Sequence, residues 1–273
     1  MDLHTITEIG RPGSRSDLEP WRAGDAWLAG GTWLFSEPQP GLTRLIDLAG
    51  FDWPPLEIGP DGLRIGATCT LARLADADLP PAWRATKLFG QCCRALLGSF
   101  KIWNAATVGG NLCMALPAGP MVALTAALDG ICTIWTPTGA ERRLPALEFV
   151  HGPQLNALQP GELLRAIDLP ATALRQPTAF RQISLTPLGR SAALLIGARS
   201  AAGGFALTVT AATRRPVRLD FPEMPTDAEL RRALDRAIPE ALYYDDIHGD
   251  PDWRRHMTFR FAEQIRQELA AAA

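Results

Sequence analysis

Two pairs of adjacent glycines are the residues of this chain whose types and spacing point most clearly to chemistry. The first pair lies in Leu28-Ala29-Gly30-Gly31-Thr32-Trp33-Leu34, and the second in Thr107-Val108-Gly109-Gly110-Asn111-Leu112. Because glycine has no Cβ, the backbone N–H groups of such turns can converge on phosphate oxygens. The side chains of Thr32, Thr107 and Asn111 can add hydrogen bonds. Two such turns, about 80 residues apart, could hold one pyrophosphate from two sides.

Neither pair belongs to a well-known phosphate-binding motif, and a lone Gly-Gly is more often only a turn. No Gly-Lys-Thr or Gly-Lys-Ser follows either pair, as a P-loop requires. Neither pair is part of a G-x-G-x-x-G dinucleotide fingerprint. From the residues alone we therefore predict a soluble protein of helices and strands with a candidate phosphate cradle. Ordinary turn glycines remain the alternative.

Helix and strand signals alternate around the two glycine pairs. A short apolar run, Ala26–Ala29, ends at the first pair, and Asp61-Gly62 between two apolar runs predicts a hairpin. Thr70 is a predicted N-cap, and the segment from Pro81 to Leu97 is predicted to form a longer helix. Helical character resumes from Pro117 to Asp129, so the second pair lies in an aperiodic stretch between two helices.

The pattern changes after residues 171–179, which are rich in Ala, Pro and Thr and mark a predicted domain boundary. Three strands in series are predicted there, at Ala192–Ala198, Phe205–Ala211 and Val217–Phe221. Two helices follow. Thr226 and Glu229 form a capping box before the first, and Asp250-Pro251 opens the second. The C-terminal part is therefore predicted to be a small domain with a three-stranded antiparallel sheet and helices.

Composition excludes several classes of partner and cofactor. The formal net charge of −2 gives no electrostatic reason to expect nucleic acid or an anionic membrane. The apolar runs are too short for a membrane span, and Met1-Asp2-Leu3-His4 does not begin an export signal. The five cysteines form no C-x-x-C, so we expect neither zinc nor an iron–sulfur cluster in this chain. Their odd number favours the reducing cytoplasm.

The two glycine motifs, in this order, resemble the two flavin motifs of the FAD-binding (medium) subunits of molybdenum hydroxylases. These are relatives of xanthine dehydrogenase and carbon monoxide dehydrogenase. The resemblance covers nearly the whole chain, and several further segments support it: Leu45-Ile46-Asp47-Leu48, Ile65-Gly66-Ala67-Thr68, Pro160-Gly161-Glu162-Leu163-Leu164, Phe180-Arg181-Gln182, and Asp246 with Trp253-Arg254.

This resemblance implies an α+β fold of the PCMH type, in which FAD lies between two subdomains. The FAD-binding domain would span residues 1–170, as subdomains 1–55 and 56–170, and residues 171–273 would form a C-terminal domain of the carbon monoxide dehydrogenase flavoprotein type. No catalytic or metal-binding residue is implied. The implied cofactor contacts are Ala29, Gly30, Gly31, Thr32, Trp33, Thr107, Val108, Gly109, Gly110, Asn111, Leu164 and Arg181.

Some positions depart from the family pattern or have a simpler explanation. Trp33 stands where relatives commonly have Asp or Asn, and Pro120 where relatives have an acidic residue near the polar chain of the flavin. Leu164 matches a position near the flavin ring or adenosine, but it could equally be a strand core residue. Arg181 matches a Lys near the flavin, but it could equally be a surface charge.

The implied function is that of an electron-transfer subunit in a three-subunit enzyme of the cytoplasm. A small partner would carry two [2Fe–2S] clusters, and a large partner would hold the molybdenum pterin cofactor. This chain would take electrons from a cluster through FAD and pass them to an external acceptor. Two alternatives remain open: a stand-alone flavin reductase or oxidase on the same fold, and a flavin-free scaffold subunit.

Overall fold

The computed structural model describes residues 3–272. The first sheet of the chain has three parallel strands. Met1 and Asp2, part of the segment on which no export signal was predicted, lie outside the described residues, as does Ala273. The three strands are β1 (Glu8–Gly10), β2 (Asp25–Leu28) and β3 (Arg44–Asp47), in the order β1-β3-β2. The first glycine pair follows the end of β2, so this sheet determines where that turn lies.

The second sheet has five antiparallel strands in the order β4-β5-β10-β6-β7. Between β7 and β10 lies a small separate hairpin, β8-β9. The predicted Asp61-Gly62 hairpin is confirmed, because it joins β4 to β5. The strand bounds are β4 Leu56–Gly59, β5 Gly62–Gly66, β6 Ile131–Trp135, β7 Glu141–Pro145, β8 Val150–Gly152, β9 Leu155–Asn156 and β10 Leu163–Pro170.

Seven helices belong to this part of the chain, and most are short. The helix predicted from Pro81 to Leu97 is shorter than expected, because a 3₁₀ turn at Arg84–Thr86 precedes the α-helix. Thr70 caps the first helix as predicted, accepting from the N–H of Arg73. The bounds are α1 Leu71–Ala75, α2 Lys87–Ala95, α3 Phe100–Ala105, α4 Val108–Met114, α5 Pro120–Ala127, α6 Ala146–Phe149 and α7 Ala171–Leu174.

The third sheet has four antiparallel strands rather than the predicted three, in the order β11-β12-β13-β14. The additional strand is β11, which pairs with β12 along its whole length. It was missed because only the three later segments carry a clear apolar strand pattern. The strands are β11 Thr178–Ile183, β12 Ala193–Arg199, β13 Phe205–Thr210 and β14 Val217–Phe221.

Two long helices, α8 (Asp227–Ala237) and α9 (Pro251–Ala271), cover one face of this sheet. Their predicted starts are confirmed: Thr226 and Glu229 form a capping box, and the Asp250 carboxylate accepts from the N–H of Trp253. No helix among residues 3–272 is both long and apolar enough to cross a membrane.

Strand β12 is buried on both faces because helices cover both sides of the third sheet. Successive side chains of a strand point to opposite faces. Ala193 and Leu195 therefore pack in the core with α8 and α9, whereas Leu194 and Ile196 join the core that contains α5. The second and third sheets thus share one apolar layer.

Helix α5 is the centre of that layer. All eight of its residues are buried, so it is apolar on every side, as expected of a helix inside a core. It packs against α2, β12 and β13. At its C-terminal end the Arg218 guanidinium donates to the carbonyls of Ala126 and Ala127 and forms an ion pair with Asp129. Both larger parts of the chain therefore depend on this helix.

We expect Leu124→Ala to destabilise both parts of the chain together. Leu124 is fully buried in α5, and such truncations in a core cost about 2–5 kcal/mol in free energy of unfolding. Urea unfolding followed by tryptophan fluorescence and by circular dichroism should show one transition, shifted to lower urea. Leu188→Ala is the matched control, because Leu188 is 84% exposed and should change stability by less than about 0.5 kcal/mol. Two separate transitions in the Leu124 variant would contradict this role of α5.

Candidate active-site cleft

A cleft of about 730 Å³ lies between the glycine turns and the C-terminal part of the chain. Its volume is in the range of sites that bind small molecules and cofactors. Three stretches of the chain line it: residues 27–39, residues 95–119 and residues scattered between 190 and 254. The two sequence-predicted turns therefore contribute to one cavity, together with a wall that the sequence analysis did not assign to the site.

The first turn is held in place by a buried ion pair at the start of β2. Arg44 of β3 donates to both carboxylate oxygens of Asp25, at 2.9 and 2.6 Å, and both residues are buried. The hydrogen bond from Arg44 holds the pKa of Asp25 below its ordinary value. Further along β2, the indole N–H of Trp27 donates to the carbonyl of Glu162 at 2.9 Å. These contacts fix β2 and the turn that follows it.

Close packing explains the first glycine pair. A Cβ at Gly30 would lie only 1.8 Å from the carbonyl oxygen of Ala105, so the turn touches the end of α3 at this residue. Gly31 has a φ of +68°, in the left-handed region that favours glycine. The two residues let the chain reverse direction directly against the segment that leads into the second motif.

The first turn offers backbone donors to the cleft. Within the described part of the chain, the N–H groups of Gly30, Gly31, Thr32 and Trp33 donate to no protein acceptor, and all four residues line the cavity. Successive free backbone N–H groups in a turn form an anion-binding surface. The first turn therefore has the free backbone N–H donors that were predicted for both turns.

The second motif differs from the expected turn because its glycines lie in the first turn of α4. Thr107 is the N-cap residue, and its Oγ1 accepts from the N–H of Gly110 at 3.0 Å. The N–H groups of Val108 and Gly109 donate to the carbonyls of Cys69 and Ala67. These backbone donors are therefore used inside the protein. The prediction that the second glycine pair offers free backbone N–H groups to a ligand, as the first pair does, is therefore wrong.

Side chains supply the donors of the second motif. Oδ1 of Asn111 accepts from the N–H of Met121 at 3.0 Å, whereas its Nδ2 donates to nothing within residues 3–272. The hydroxyl of Thr107 accepts from Gly110 and keeps its own proton for donation. Both residues line the cleft. Two polar groups with free donors therefore line the same cavity as the free amides of the first turn.

Eight of the twelve predicted contact residues line the cleft and four do not. The eight are Ala29, Gly30, Gly31, Thr32, Trp33, Thr107, Gly110 and Asn111. Val108 and Gly109 are buried behind the cleft surface, and Leu164 is a core residue of β10. Arg181 lies on β11 and pairs with Glu268 of α9 at 2.7 Å. Its positive charge is therefore compensated away from the cleft.

Pro120 is also outside the cleft. It is the first residue of α5 and is buried, whereas the neighbouring Pro117, Ala118 and Gly119 line the cavity. An acidic residue at position 120 would therefore be buried in the core. The departure from the family pattern at this position is explained by packing in this chain.

The opposite wall comes from the C-terminal part of the chain, which the sequence analysis did not assign to the site. It contributes six polar or aromatic residues: Arg190, Ser191, Tyr244, Asp246, His248 and Arg254. Asp246 and Arg254 belong to a segment already compared with the closing helix of the family, which could have drawn attention to them. Arg190 follows Gly189 in a loop without any motif.

Hydrogen bonds from Arg254 stabilise this wall. The buried guanidinium of Arg254 donates to the carbonyls of Ala192, Ala211 and Gly249 and to the carboxylate of Asp246. Burial lowers the pKa of Arg254, and Asp246 acts in the opposite direction. Ala211 in turn donates its N–H to the carbonyl of Pro117, so the two walls are hydrogen-bonded at that point.

The cleft contains no activated nucleophile among the groups that line it. Cys113 is the cleft cysteine, and burial raises its pKa to about 12, so the thiol stays protonated at neutral pH. Within residues 3–272, no three His, Cys, Asp or Glu side chains are grouped as metal ligands would be. The arrangement is that of a binding site with hydrogen-bond donors for an anion.

Comparison with known proteins identifies the family. Residues 22–172, more than half of the chain, match the family described as "FAD binding domain in molybdopterin dehydrogenase". A xanthine dehydrogenase of Oryza sativa subsp. japonica is 30% identical over 123 residues, which are 43% of this chain and 9% of that protein. Caffeine dehydrogenase subunit beta of Pseudomonas sp. (strain CBB1) is 32% identical over 124 residues, 45% of this chain and 41% of the relative.

Solved structures share the fold over almost the full length. Carbon monoxide dehydrogenase of Hydrogenophaga pseudoflava has a TM-score of 0.82 at 20% identity, covering 97% of this chain and 98% of that chain. Quinoline 2-oxidoreductase of Pseudomonas putida 86 has a TM-score of 0.79 at 19% identity, covering 98% of both. A carbon monoxide dehydrogenase of Oligotropha carboxidovorans has a TM-score of 0.79 at 22% identity, with 97% and 98% covered.

The chain belongs to the family of FAD-binding domains of molybdopterin dehydrogenases. The resemblance and the fold class stated from the sequence are thereby confirmed, as is FAD as the cofactor of the family. The aligned segments span less than half of either curated relative, so the activity of those whole proteins does not transfer directly.

We expect Gly30→Ala to lower stability even without a bound ligand. The added Cβ would overlap the Ala105 carbonyl, and relieving such a contact requires a backbone shift that costs about 1–3 kcal/mol. The measurement is the urea midpoint of the purified chain. Gly41→Ala is the control, because a Cβ there meets nothing within 4 Å. Equal stability of the two variants would contradict the proposed close contact.

The Asp25–Arg44 pair predicts a pH-dependent contribution to stability. The pKa of Asp25 is lowered in the folded chain, so its stabilisation is complete above the ordinary value near 3.8 and is lost as pH falls through the lower folded value. Asp25→Asn should therefore cost about 1–3 kcal/mol in unfolding free energy at neutral pH. The difference from the parent chain should shrink in urea titrations at progressively lower pH below about 3.8. A difference independent of pH would argue against the ion pair.

Proposed function

We propose that this chain is the FAD-binding electron-transfer subunit of a cytoplasmic molybdenum-containing dehydrogenase. In this proposal a large molybdenum-pterin subunit supplies electrons to the [2Fe–2S] clusters of a small partner subunit. This chain receives the electrons from those clusters. It passes them to an external acceptor. The family match and the full-length structural relatives support the assignment to a flavin subunit. The electron path and the partners are our inference.

The observation that carries the proposal is the set of anion donors in the cleft. Four free backbone N–H groups lie at residues 30–33, and Asn111 and Thr107 have donors left for a ligand. A dinucleotide with a pyrophosphate fits this chemistry, because its phosphate oxygens require several donors at one place. The cleft volume of about 730 Å³ is also suitable for a ligand of that size.

The chain's own residues bind and orient the cofactor rather than perform acid–base chemistry. When bound, the flavin supplies the ability to accept and release electrons. The first turn would hold the phosphates, and Asn111 would be kept in its orientation by Met121. Trp33 would form part of the wall of the flavin site, because it lines the cleft directly after the amide turn.

Exposed apolar side chains near the cleft support docking to a partner subunit. Leu97 and Ile102 line the cleft and are 42% and 37% exposed, and Phe100 between them is 73% exposed. Clustered exposed apolar residues are typical of interaction surfaces. In the proposed assembly, this segment would contact the iron–sulfur subunit, so that the electron donor approaches the flavin at the mouth of the cleft.

A flavin-free scaffold is the second candidate, and the second motif favours it. The amides of that motif are used inside the protein, so this side of the cleft has fewer phosphate donors than both turns together would provide. A stand-alone flavin enzyme is the third candidate. His248 and Asp246 favour it, since both line the cleft and could exchange protons with a substrate.

One experiment separates the three candidates. The chain is purified alone and with its co-expressed partner subunits, and the flavin released on denaturation is identified. We expect FAD rather than FMN, together with co-purification of an iron–sulfur protein and a molybdenum protein. Absence of flavin after incubation with FAD would support the scaffold. A flavin-containing monomer that turns over a small substrate without partners would support the stand-alone enzyme.

Asn111→Asp tests the phosphate-binding role with little change in shape. The new carboxylate keeps an acceptor for the N–H of Met121 but replaces the free donor by a negative charge. We expect FAD to bind more weakly by about 2–3 kcal/mol, roughly 30- to 150-fold, in a fluorescence titration. Asn104→Asp is the control, because Asn104 is exposed and does not line the cleft. Equal FAD affinity in both variants would remove Asn111 from the site.

A further inference from the structure

The guanidinium of Arg190 lies close to the amide turn although it belongs to the opposite wall. Arg190 is in the loop between β11 and β12, and its guanidinium carbon lies 5.9 Å from the centroid of the Trp33 ring. Trp33 is the last of the four residues whose N–H groups are free. Arg190 therefore reaches across the cleft from the C-terminal part of the chain to the indole ring of the residue that ends the amide turn.

Arg190 is a cation without an ion-pair partner among residues 3–272. In the described part of the chain it makes no hydrogen bond and no ion pair, and its guanidinium lies over the ring of Trp33. Glu37 also lines the cleft, but it forms no ion pair with Arg190. The other arginine of the cleft, Arg254, is committed to three carbonyls and to Asp246. Arg190 is therefore the cleft arginine whose charge is available to a bound anion.

We propose that Arg190 is a phosphate-binding residue of the FAD site, closing over the pyrophosphate opposite residues 30–33. This inference rests on the proposed function. A guanidinium matches phosphate oxygens in charge and in the geometry of its N–H groups. Arg190 would then supply the cationic contact that the resemblance assigned to Arg181, whose charge is instead paired with Glu268. The cationic contact would therefore come from a residue nine positions further along the chain, in the loop after β11.

The test compares FAD with riboflavin, which has the same ring system and no phosphate. Arg190→Gln, Arg190→Lys and the parent full-length chain are titrated with each flavin by fluorescence, at low and at high salt. Arg181→Gln is the matched control, because it removes the same charge outside the cleft. Thermal unfolding of each variant checks that the fold is retained.

We expect Arg190→Gln to weaken FAD binding by about tenfold at low salt and to leave riboflavin binding unchanged. Its FAD affinity should also depend less on salt than that of the parent, because one attraction between charges is missing. Arg190→Lys should recover part of the loss, since it restores the charge without the planar fork. Arg181→Gln should bind FAD like the parent.

Two outcomes would overturn the assignment. Equal FAD affinity of Arg190→Gln and the parent would show that Arg190 does not contact the phosphates. An equal loss for riboflavin and FAD would place the contact at the ring system or at the Trp33 wall. A parent chain that binds no FAD would instead refute the proposed function, and this inference with it.

Discussion

The burial of helix α5 on all sides is the constraint on which the rest of the structure depends. A helix without a polar face must be enclosed, and here the second sheet with its helices and the third sheet each provide part of the enclosure. The same enclosure brings the loop before α5 beside Ala211 of the C-terminal part, where the carbonyl of Pro117 accepts from its N–H. Packing of one apolar helix therefore produces a cleft with walls from distant parts of the sequence.

The two sides of the cleft have different physical roles. In the first glycine turn the N–H groups of residues 30–33 donate to no acceptor among residues 3–272, and Gly30 lies so close to the backbone of Ala105 that no side chain fits between them. The second motif uses its amides to fasten α4 to the chain near Ala67 and Cys69, and side chains replace them as donors. Free backbone N–H groups and internally bonded ones are thus divided between two motifs that look alike in sequence.

Local signals allowed much of the fold to be predicted, whereas long-range contacts decided the rest. The capping box at Thr226, the start of α9 at Asp250 and the hairpin at Asp61-Gly62 depend on residues a few positions apart, and all three were predicted correctly. The helix at Gly109 was not predicted, because glycine disfavours helices and tertiary hydrogen bonds override that preference here. Arg190 carries no local signal, since its place at the cleft results from the pairing of β11 with β12.

The wall stabilised by Arg254 lies outside the segment that matches the family. The segment defined by sequence similarity and the set of residues that form the cleft are therefore different. The family match ends at residue 172, yet the cavity is completed by residues 190–254, which lie wholly beyond it. A fragment cut at the module boundary would keep the amide turn and lose the facing wall. Conversely, exchange of the last hundred or so residues between relatives would alter the charge that faces the turn while leaving the turn intact. In this architecture the C-terminal part can vary the facing wall of the cleft while the free N–H groups of residues 30–33 stay the same.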